Sequence, residues 1–347
     1  MKKWILKSVS LFCVFLCLTF LPIAVFGETS SVSVSAHAAI LIEAESGRVL
    51  YEKNADERRS MASTTKIMTA LLAVESEQRN EVIEITRDMV QVEGSSMYLK
   101  EGDKVTLETL AYGLLLESGN DAANAIAITL GGSMEGFVEL MNQRARALGL
   151  SNTHFATPSG LDAEDHYTTA SDLAKLAAVA MKEPRFQEIC SKSSATVEFV
   201  EPATKRTLYN HNRLLKEMEG CIGVKTGFTK KSGRCLVTCC EREGVRLIAV
   251  TLNAPNDWQD HKALMEYGFS MAQRTTIQAD GLELYVPVVG GTEAFVKVEP
   301  VSQEEVTILQ GEENEISMRI ELPHFVYAPV KEGQVVGRVV YSVNGRL

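Results

Sequence analysis

The sequence lacks the features of three common protein classes. Its 35 lysines and arginines are outnumbered by 45 aspartates and glutamates, so it has no basic excess with which to neutralise nucleic-acid phosphates. No cysteine or histidine pair has a matching second pair downstream, which argues against a zinc site, and we expect neither metal nor cofactor. Seven cysteines, of which five lie beyond residue 27, make an odd set that does not suit a disulfide framework.

The N-terminus combines three lysines with a long apolar run that contains no acid. A basic start followed by an apolar stretch from Ser8 to Phe26 is typical of a secretory signal peptide over residues 1–27. We expect cleavage after Gly27, which removes three lysines and no acid and takes the net charge from −10 to −13. The alternative is an uncleaved membrane anchor, because the run approaches the roughly 20 residues that cross a bilayer. Both alternatives predict an exported protein.

Apolar strands flank a run of helices in the first 276 residues. Alternating patterns predict two hairpins, Ala38–Glu43 with 48–53 and 234–240 with 245–252. Apolar residues recur at the helix period in the segments between them, 63–75, 106–116, 122–130, 133–148 and 171–181, and again from about Trp258 to Ala272. We therefore expect an α/β (α+β) domain over residues 28–276 in which the first and last strands share a sheet with helices on both sides.

Beyond residue 280 the pattern changes to short β-like runs separated by Gly and Pro. These runs predict a small all-β domain over residues 281–347. Its last strand is followed by Asn344-Gly345, a strong turn signal, but only two residues remain for a partner strand. We therefore expect this domain to be incomplete.

Three short motifs carry residues suited to acyl transfer. Each is weak alone, but together they match the SxxK, SxN and KTG set of penicillin-binding proteins and class A β-lactamases. The motifs are Ser63-Thr64-Thr65-Lys66, Ser118-Gly119-Asn120 and Lys225-Thr226-Gly227.

The first motif predicts a nucleophile and its base. Ser63 opens an apolar helix, where its backbone N–H has no partner within the helix, and Lys66 lies on the same face. A buried lysine loses solvation, so its neutral amine is favoured and can take the Ser63 hydroxyl proton as a general base. On its own, a Ser three residues before a Lys is an ordinary pattern on solvated helices. The presence of the other two motifs is what favours a catalytic pair.

The other two motifs predict contacts with the substrate. Ser118 is expected to relay a proton by bonding to the Ser63–Lys66 pair, and Asn120 to present its amide to a peptide. Lys225 is expected to place positive charge beside a substrate carboxylate or a developing oxyanion, and Thr226 to offer its hydroxyl to that carboxylate. Gly227 is expected to form the exit of an edge strand. A tetrahedral oxyanion needs two donors, for which we predict the backbone N–H groups of Ser63 and Phe228.

From Ala38 to Leu347 the chain resembles the low-molecular-mass penicillin-binding proteins, the serine-type D-Ala-D-Ala carboxypeptidases. Besides the three motifs, the resemblance rests on Thr157-Pro158-Ser159-Gly160-Leu161 with His166-Tyr167, on residues 210–215 and on the later β region. It implies a transpeptidase-like fold, acylation of the serine by peptidoglycan stem peptides, release of terminal D-Ala, hydrolysis by water and covalent capture by β-lactam antibiotics. It also implies action at the outer face of the cell membrane or in the cell wall.

The chain departs from the family pattern in three places. Met61 stands where a proline is usual, and residues 253–261 contain no arginine to hold the substrate carboxylate. Residues 253–261 are similar to the same stretch in family members from spore-forming bacteria, which suggests a sporulation role. Family members commonly end in a membrane-lying helix, so membrane association is expected only through residues after Leu347 or through an uncleaved signal segment.

Two rival functions share part of this pattern. A class A β-lactamase would need a glutamate in a loop before the third motif, and the segment from Gly160 to His166 has no Glu-x-x-Leu-Asn pattern. A non-catalytic peptidoglycan-binding scaffold would not need all three motifs to be intact.

Overall fold

Strands lie at both ends of the described chain and helices fill its middle. The computed structural model describes residues 32–277, 279, 282–300 and 304–345. Residues Ala62–Thr65 form a 3₁₀ turn, the Ser63 turn. The helices are α1 (Lys66–Glu75), α2 (Arg87–Val90), α3 (Leu107–Leu116), α4 (Asn120–Gly131), α5 (Met134–Ala147), α6 (Ala170–Ala180), α7 (Pro184–Cys190), α8 (Leu214–Glu217) and α9 (Asp257–Met271). The strands are β1 (Ala38–Glu43), β2 (Val49–Lys53), β3 (Val82–Glu84), β4 (Lys104–Thr106), β5 (Ser194–Phe199), β6 (Thr204–Tyr209), β7 (Cys221–Thr229), β8 (Gly233–Arg242), β9 (Val245–Leu252), β10 (Ala272–Ile277), β11 (Leu284–Val289), β12 (Phe295–Val298), β13 (Glu304–Leu309), β14 (Ile316–Glu321), β15 (Val326–Tyr327) and β16 (Arg338–Val343).

The main sheet joins the first two strands to three strands from much later in the chain. Its order is β2-β1-β9-β8-β7, and each neighbouring pair is antiparallel. Both predicted hairpins are therefore confirmed, and they share one sheet as expected. Strand β7, which carries the third motif, forms an edge of this sheet, so its outer side is available to other parts of the site.

Helices cover both faces of the sheet. On one face Gly268 of α9 packs so tightly that an added Cβ would lie 2.6 Å from a Leu247 methyl group and 2.8 Å from a Leu41 methyl group. Ile40 and Ile248 point to the other face, because side chains alternate along a strand, and they join the buried core formed with the helices. The predicted α/β (α+β) arrangement, with helices on both sides of the sheet, is confirmed.

Several helices begin at side-chain caps. Thr106 accepts a hydrogen bond from Thr109 N–H and Ser133 accepts one from Gly136 N–H. The helix predicted over 171–181 begins one residue earlier, at Ala170, because Thr169 is extended and its hydroxyl accepts the Asp172 N–H. The helix predicted from Ser63 begins instead with the Ser63 turn, and regular α-helix starts at Lys66.

From Ala272 onwards the described chain consists of strands and loops. Strand β10 pairs with β13, β11 pairs with β12 and β15, and β14 pairs with β16. The predicted all-β region is confirmed, whereas its boundary between residues 276 and 281, which includes residues outside the described ranges, stays a prediction. The predicted signal peptide and Leu347 also lie outside those ranges. None of the described helices has the length and apolar character needed to cross a bilayer.

Candidate active site

The three motifs converge beside the free edge of β7. The backbone of Gly227 lies so close to the Ser63 turn that an added Cβ would be 3.0 Å from the Ser63 nitrogen. From the other side, Lys66 Nζ lies 2.7 Å from Asn120 Oδ1. Residues of all three motifs therefore lie around the Ser63 turn and Lys66, although the motifs are separated by 50 to 110 positions in the sequence.

Lys66 has three oxygen neighbours. Its Nζ lies 2.9 Å from Ser63 Oγ, 2.7 Å from Asn120 Oδ1 and 2.7 Å from the Ser159 carbonyl oxygen. The amide and carbonyl oxygens can only accept hydrogen bonds. A neutral amine therefore gives its two N–H groups to Asn120 and Ser159, and its lone pair faces the Ser63 hydroxyl.

The surroundings of Lys66 favour this neutral form. The side chain is fully buried, and this desolvation lowers its pKa well below the usual lysine range. The charge of Lys225 lowers the pKa further, and the Asp121 carboxylate partly opposes the shift. The predicted pairing of Ser63 with a deprotonated lysine therefore has both the distance and the electrostatics it needs.

The second motif places Asn120 in contact with Lys66 and Ser118 close to the start of α4. Asn120 also donates from its Nδ2 to the Glu93 carbonyl oxygen at 2.6 Å, which fixes the direction of its amide. Ser118 is 5% exposed and has a φ of +59°, a conformation that few non-glycine residues adopt. Within the described residues its hydroxyl makes no hydrogen bond to Ser63 or Lys66, so its relay role stays a prediction.

The third motif presents one buried cation and an exposed backbone edge. Lys225 is 1% exposed, donates to the Thr226 carbonyl oxygen at 3.1 Å, and has its pKa lowered to about 7 by burial. Thr226 and Gly227 are half-buried, whereas the side chain of Phe228 is largely exposed. The predicted edge strand is confirmed, and only glycine at position 227 lets it approach the Ser63 turn this closely.

The segment Thr157–Leu161 packs against the Ser63 turn, and the sequence gave it no role beyond the resemblance. Its backbone accepts hydrogen bonds from Lys66 and, at 2.6 Å, from Thr69. Gly160, with a φ of +85°, packs on the turn so that an added Cβ would lie 2.0 Å from the Ala62 carbonyl oxygen. The glycine at position 160 was visible in the sequence, but the turn that it contacts could not be predicted from it.

His166 was named in the resemblance, but the sequence gave it no role. Its Nδ1 accepts the Ala156 N–H at 2.9 Å, which leaves the proton on Nε2, 2.7 Å from Thr65 Oγ1. Thr65 in turn donates to the Ala62 carbonyl oxygen at 2.8 Å. Burial lowers the pKa of His166 to about 4, so at neutral pH the ring is uncharged and fastens the Ser63 turn through Thr65.

Asp121 organises the wall beside Asn120. Its carboxylate is 1% exposed and accepts from the N–H groups of Met97 and Leu99, each at 2.9 Å, and from Ser96 Oγ at 2.6 Å. An acidic residue in the first turn of a helix is a recognisable signal. Its long-range partners were not predictable. Among the described residues, no three His, Cys, Asp or Glu side chains converge to suit a metal ion.

Two family models match the chain. The model described as D-alanyl-D-alanine carboxypeptidase, peptidase S11, matches residues 26–256. The model described as the C-terminal domain of penicillin-binding protein 5 matches residues 273–347. Together they cover both the main sheet with its helices and the later β region.

Individual relatives agree with these matches. D-alanyl-D-alanine carboxypeptidase DacF of Bacillus subtilis is 32% identical, over 95% of this chain and 88% of its own. D-alanyl-D-alanine carboxypeptidase DacC of Escherichia coli is 35% identical, over 90% of this chain and 82% of its own. Among solved structures, penicillin binding protein 5 of Haemophilus influenzae is 29% identical with a TM-score of 0.71, over 91% of this chain and 95% of its own. The DD-transpeptidase of Streptomyces K15 is 34% identical with a TM-score of 0.66, over 69% of this chain and 98% of its own.

Proposed function

The chain belongs to the D-alanyl-D-alanine carboxypeptidase family of serine peptidases, and on that premise we propose that it releases terminal D-Ala from peptidoglycan stem peptides through an acyl-enzyme on Ser63. The single observation that carries this assignment is the environment of Lys66. The Asn120 Oδ1 and the Ser159 carbonyl oxygen can only accept, so they take both N–H groups of the neutral amine. The lone pair of the amine therefore points at Ser63 Oγ, 2.9 Å away.

Acylation then follows from the positions of Ser63 and Lys66. Lys66 takes the hydroxyl proton while Ser63 Oγ attacks the carbonyl carbon of the penultimate D-Ala. The C–N bond to the terminal D-Ala breaks when the nitrogen of the leaving group receives a proton. We assign the return of this proton to Lys66 with Ser118 as the relay, because Ser118 is buried at the start of α4 beside Asn120.

The oxyanion of the tetrahedral intermediate needs donors that are already in place. We assign them to the backbone N–H groups of Ser63 and Phe228, on the two sides of the close approach at Gly227. An alanine at position 227 would enter this gap, so the absence of a side chain there supports the assignment.

The substrate peptide is expected to lie along the outer edge of β7. Asn120 already donates to Glu93 and accepts from Lys66, so it is held in a fixed orientation beside the cleft. Lys225 supplies positive potential from a buried position, and Thr226 supplies a hydroxyl for the substrate carboxylate.

Hydrolysis of the acyl-enzyme is expected to be slow for a penicillin adduct. The segment that carries an activating glutamate in class A β-lactamases contains Asp162 and Glu164 here. Asp162 accepts from Thr229 Oγ1 at 3.1 Å, and Glu164 is exposed. A labelled penicillin should therefore remain attached to the protein, and rapid turnover would favour a β-lactamase.

Location and biological setting complete the proposal. The family acts on the cell wall, and the basic, apolar start of the chain supports export by a signal peptide over residues 1–27. A role in sporulation is the most specific setting that the sequence suggests, and it rests on residues 253–261 alone.

The activity is tested with the peptide diacetyl-Lys-D-Ala-D-Ala and purified mature protein. Release of free D-Ala is measured for the wild type and for Ser63→Ala, with Ser60→Ala as a matched control on a serine just before the Ser63 turn. We expect release by the wild type and the control and none by Ser63→Ala. Absence of release by the wild type, or activity retained by Ser63→Ala, would refute the assignment.

A further inference from the structure

The substrate of a carboxypeptidase carries a negative charge next to the bond that is cut. The terminal carboxylate follows the scissile carbonyl by one residue, which spans at most about 3.6 Å. If the carbonyl lies between the N–H groups of Ser63 and Phe228, as the proposed function requires, the carboxylate lies beside the last residues of β7. A cation with free donors is needed within reach of that point.

Three lysines lie near this end of β7. Lys230 follows the strand and is exposed, but a lysine lacks the fork that matches a carboxylate. The other two are also poorly placed for the task. Lys225 is 1% exposed and its Nζ is directed to the Thr226 carbonyl oxygen. Burial lowers its pKa to about 7, so much of its charge is lost at slightly alkaline pH. Lys231 lies in the turn after β7 and donates to the Ala163 carbonyl oxygen at 3.3 Å.

Arg234 has the position that the two lysines lack. It is paired directly with Phe228 in the register of β7 and β8, and Leu236 is paired with Thr226. Since Arg234 and Leu236 are two positions apart, their side chains point to one face, which Thr226 and Phe228 share. Thr226 and Arg234 are thus diagonal neighbours, about 7 to 8 Å apart at the backbone, a gap that an arginine side chain spans.

The guanidinium of Arg234 is held from one side and open on the other. Its Nε donates to Asp257 Oδ1 at 2.9 Å, and its Cζ lies 5.7 Å from the centre of the Trp258 ring. Asp257 is 3% exposed and also accepts from the Trp258 N–H, so it is itself fixed at the start of α9. Within the described ranges no hydrogen bond engages the two terminal nitrogens of Arg234, and 43% of its side chain is exposed.

We propose that Arg234 binds the C-terminal carboxylate of the substrate together with Thr226, and that Asp257 is the positioning residue that aims its guanidinium. The two free terminal nitrogens match the fork geometry of a carboxylate. This arrangement supplies from β8 the positive charge that residues 253–261 do not contain. The inference rests on the proposed function, because it presupposes where the scissile carbonyl lies.

The test compares two peptides that differ only in this charge. Diacetyl-Lys-D-Ala-D-Ala and its C-terminal amide are assayed for kcat/KM with the wild type and with Arg234→Gln. Loss of a hydrogen-bonded charge pair should lower kcat/KM for the acid about 10- to 100-fold. The amide should be affected far less, so the preference for the acid should fall by nearly the same factor. Arg234→Lys, which keeps the charge but loses the fork, should give an intermediate preference.

The chain offers a close control in Arg242, at the other end of β8. It also binds a carboxylate of α9, Glu266, at 2.8 Å, and its guanidinium also lies over an aromatic ring of α9, that of Phe269. Arg242→Gln should leave the preference for the acid unchanged. Asp257→Asn should lower the preference less than Arg234→Gln does, because the arginine charge remains.

The outcomes separate this inference from the proposed function. Release of D-Ala by the wild type, with the acid preference unchanged in folded Arg234→Gln, would overturn the role of Arg234 alone. Loss of the preference in Arg213→Gln instead would transfer the role to Arg213, whose guanidinium lies 4.9 Å from the same Trp258 ring. No release from either peptide by the wild type would refute the proposed function itself.

Discussion

Replacing Gly160 by alanine would make a methyl group clash with the backbone of the Ser63 turn. The added Cβ would lie 2.0 Å from the Ala62 carbonyl oxygen and 2.9 Å from Thr65 Oγ1. Ordinary contacts of this kind begin near 3.4 Å, so the segment and the turn must separate by more than 1 Å. A displacement of about 1 Å in a reacting group can lower a rate about 100-fold. We therefore expect acylation of Gly160→Ala by penicillin to be slower by about that factor.

Gly149→Ala is the matched control. Gly149 also has a positive φ, +70°, but an added Cβ there would meet nothing within 4 Å. Both variants carry the conformational cost of alanine at positive φ, about 1 to 2 kcal/mol, and only Gly160→Ala adds a clash. Acylation rates with a fluorescent penicillin and thermal denaturation separate the two effects. If Gly160→Ala acylates as fast as Gly149→Ala at equal stability, the segment does not position Ser63.

Three further predictions follow from titratable groups. His166 has a pKa of about 4 in the folded protein and about 6.5 in the unfolded chain. Between these two pH values only the unfolded chain binds a proton at this ring. The free energy of unfolding therefore falls by about 3 kcal/mol as the pH decreases through this window. Denaturant titrations at pH 7 and pH 4 should show a smaller pH-dependent loss in His166→Asn than in the wild type or in the exposed control His324→Gln, and equal losses would contradict the assignment. Because Lys66 acts as a base only when neutral and burial lowers its pKa, the acylation rate should rise with pH along a limb that lies well below the usual lysine range, and a limb near pH 10.5 would contradict the account. Cys221 is partly exposed, and contact with the Cys240 thiol lowers its pKa. Burial instead raises the pKa of Cys190, Cys235 and Cys239. Iodoacetamide followed by peptide mapping should therefore label Cys221 first, and faster labelling of a buried thiol would contradict this order.

The motif residues of the candidate site were largely predictable from the sequence. Ser63 and Lys66 are three positions apart in one helical turn, and local geometry alone brings them to hydrogen-bonding distance. The edge strand with Lys225 and Gly227 was also recognisable, because its apolar lead and glycine exit are local signals. These features depend on periods and turns that a short stretch of sequence specifies.

The residues that support the site were not predictable in the same way. Lys66 and Ser159 are 93 positions apart, and the acceptor at Ser159 is a backbone carbonyl that leaves no trace in the sequence. His166 was visible as a histidine, but its burial and its partner Thr65 depend on the folded chain. Arg234 illustrates the same limit, since its relation to Thr226 exists only in the register of β7 and β8.

We propose that Ser63, activated by Lys66, forms the acyl-enzyme. This proposal is tested most directly by incubating the protein with a penicillin and mapping the modified peptide by mass spectrometry. We predict one penicilloyl group per molecule, on the peptide that contains Ser63, and none in Ser63→Ala. An adduct on another residue, or a stable adduct in Ser63→Ala, would contradict the account.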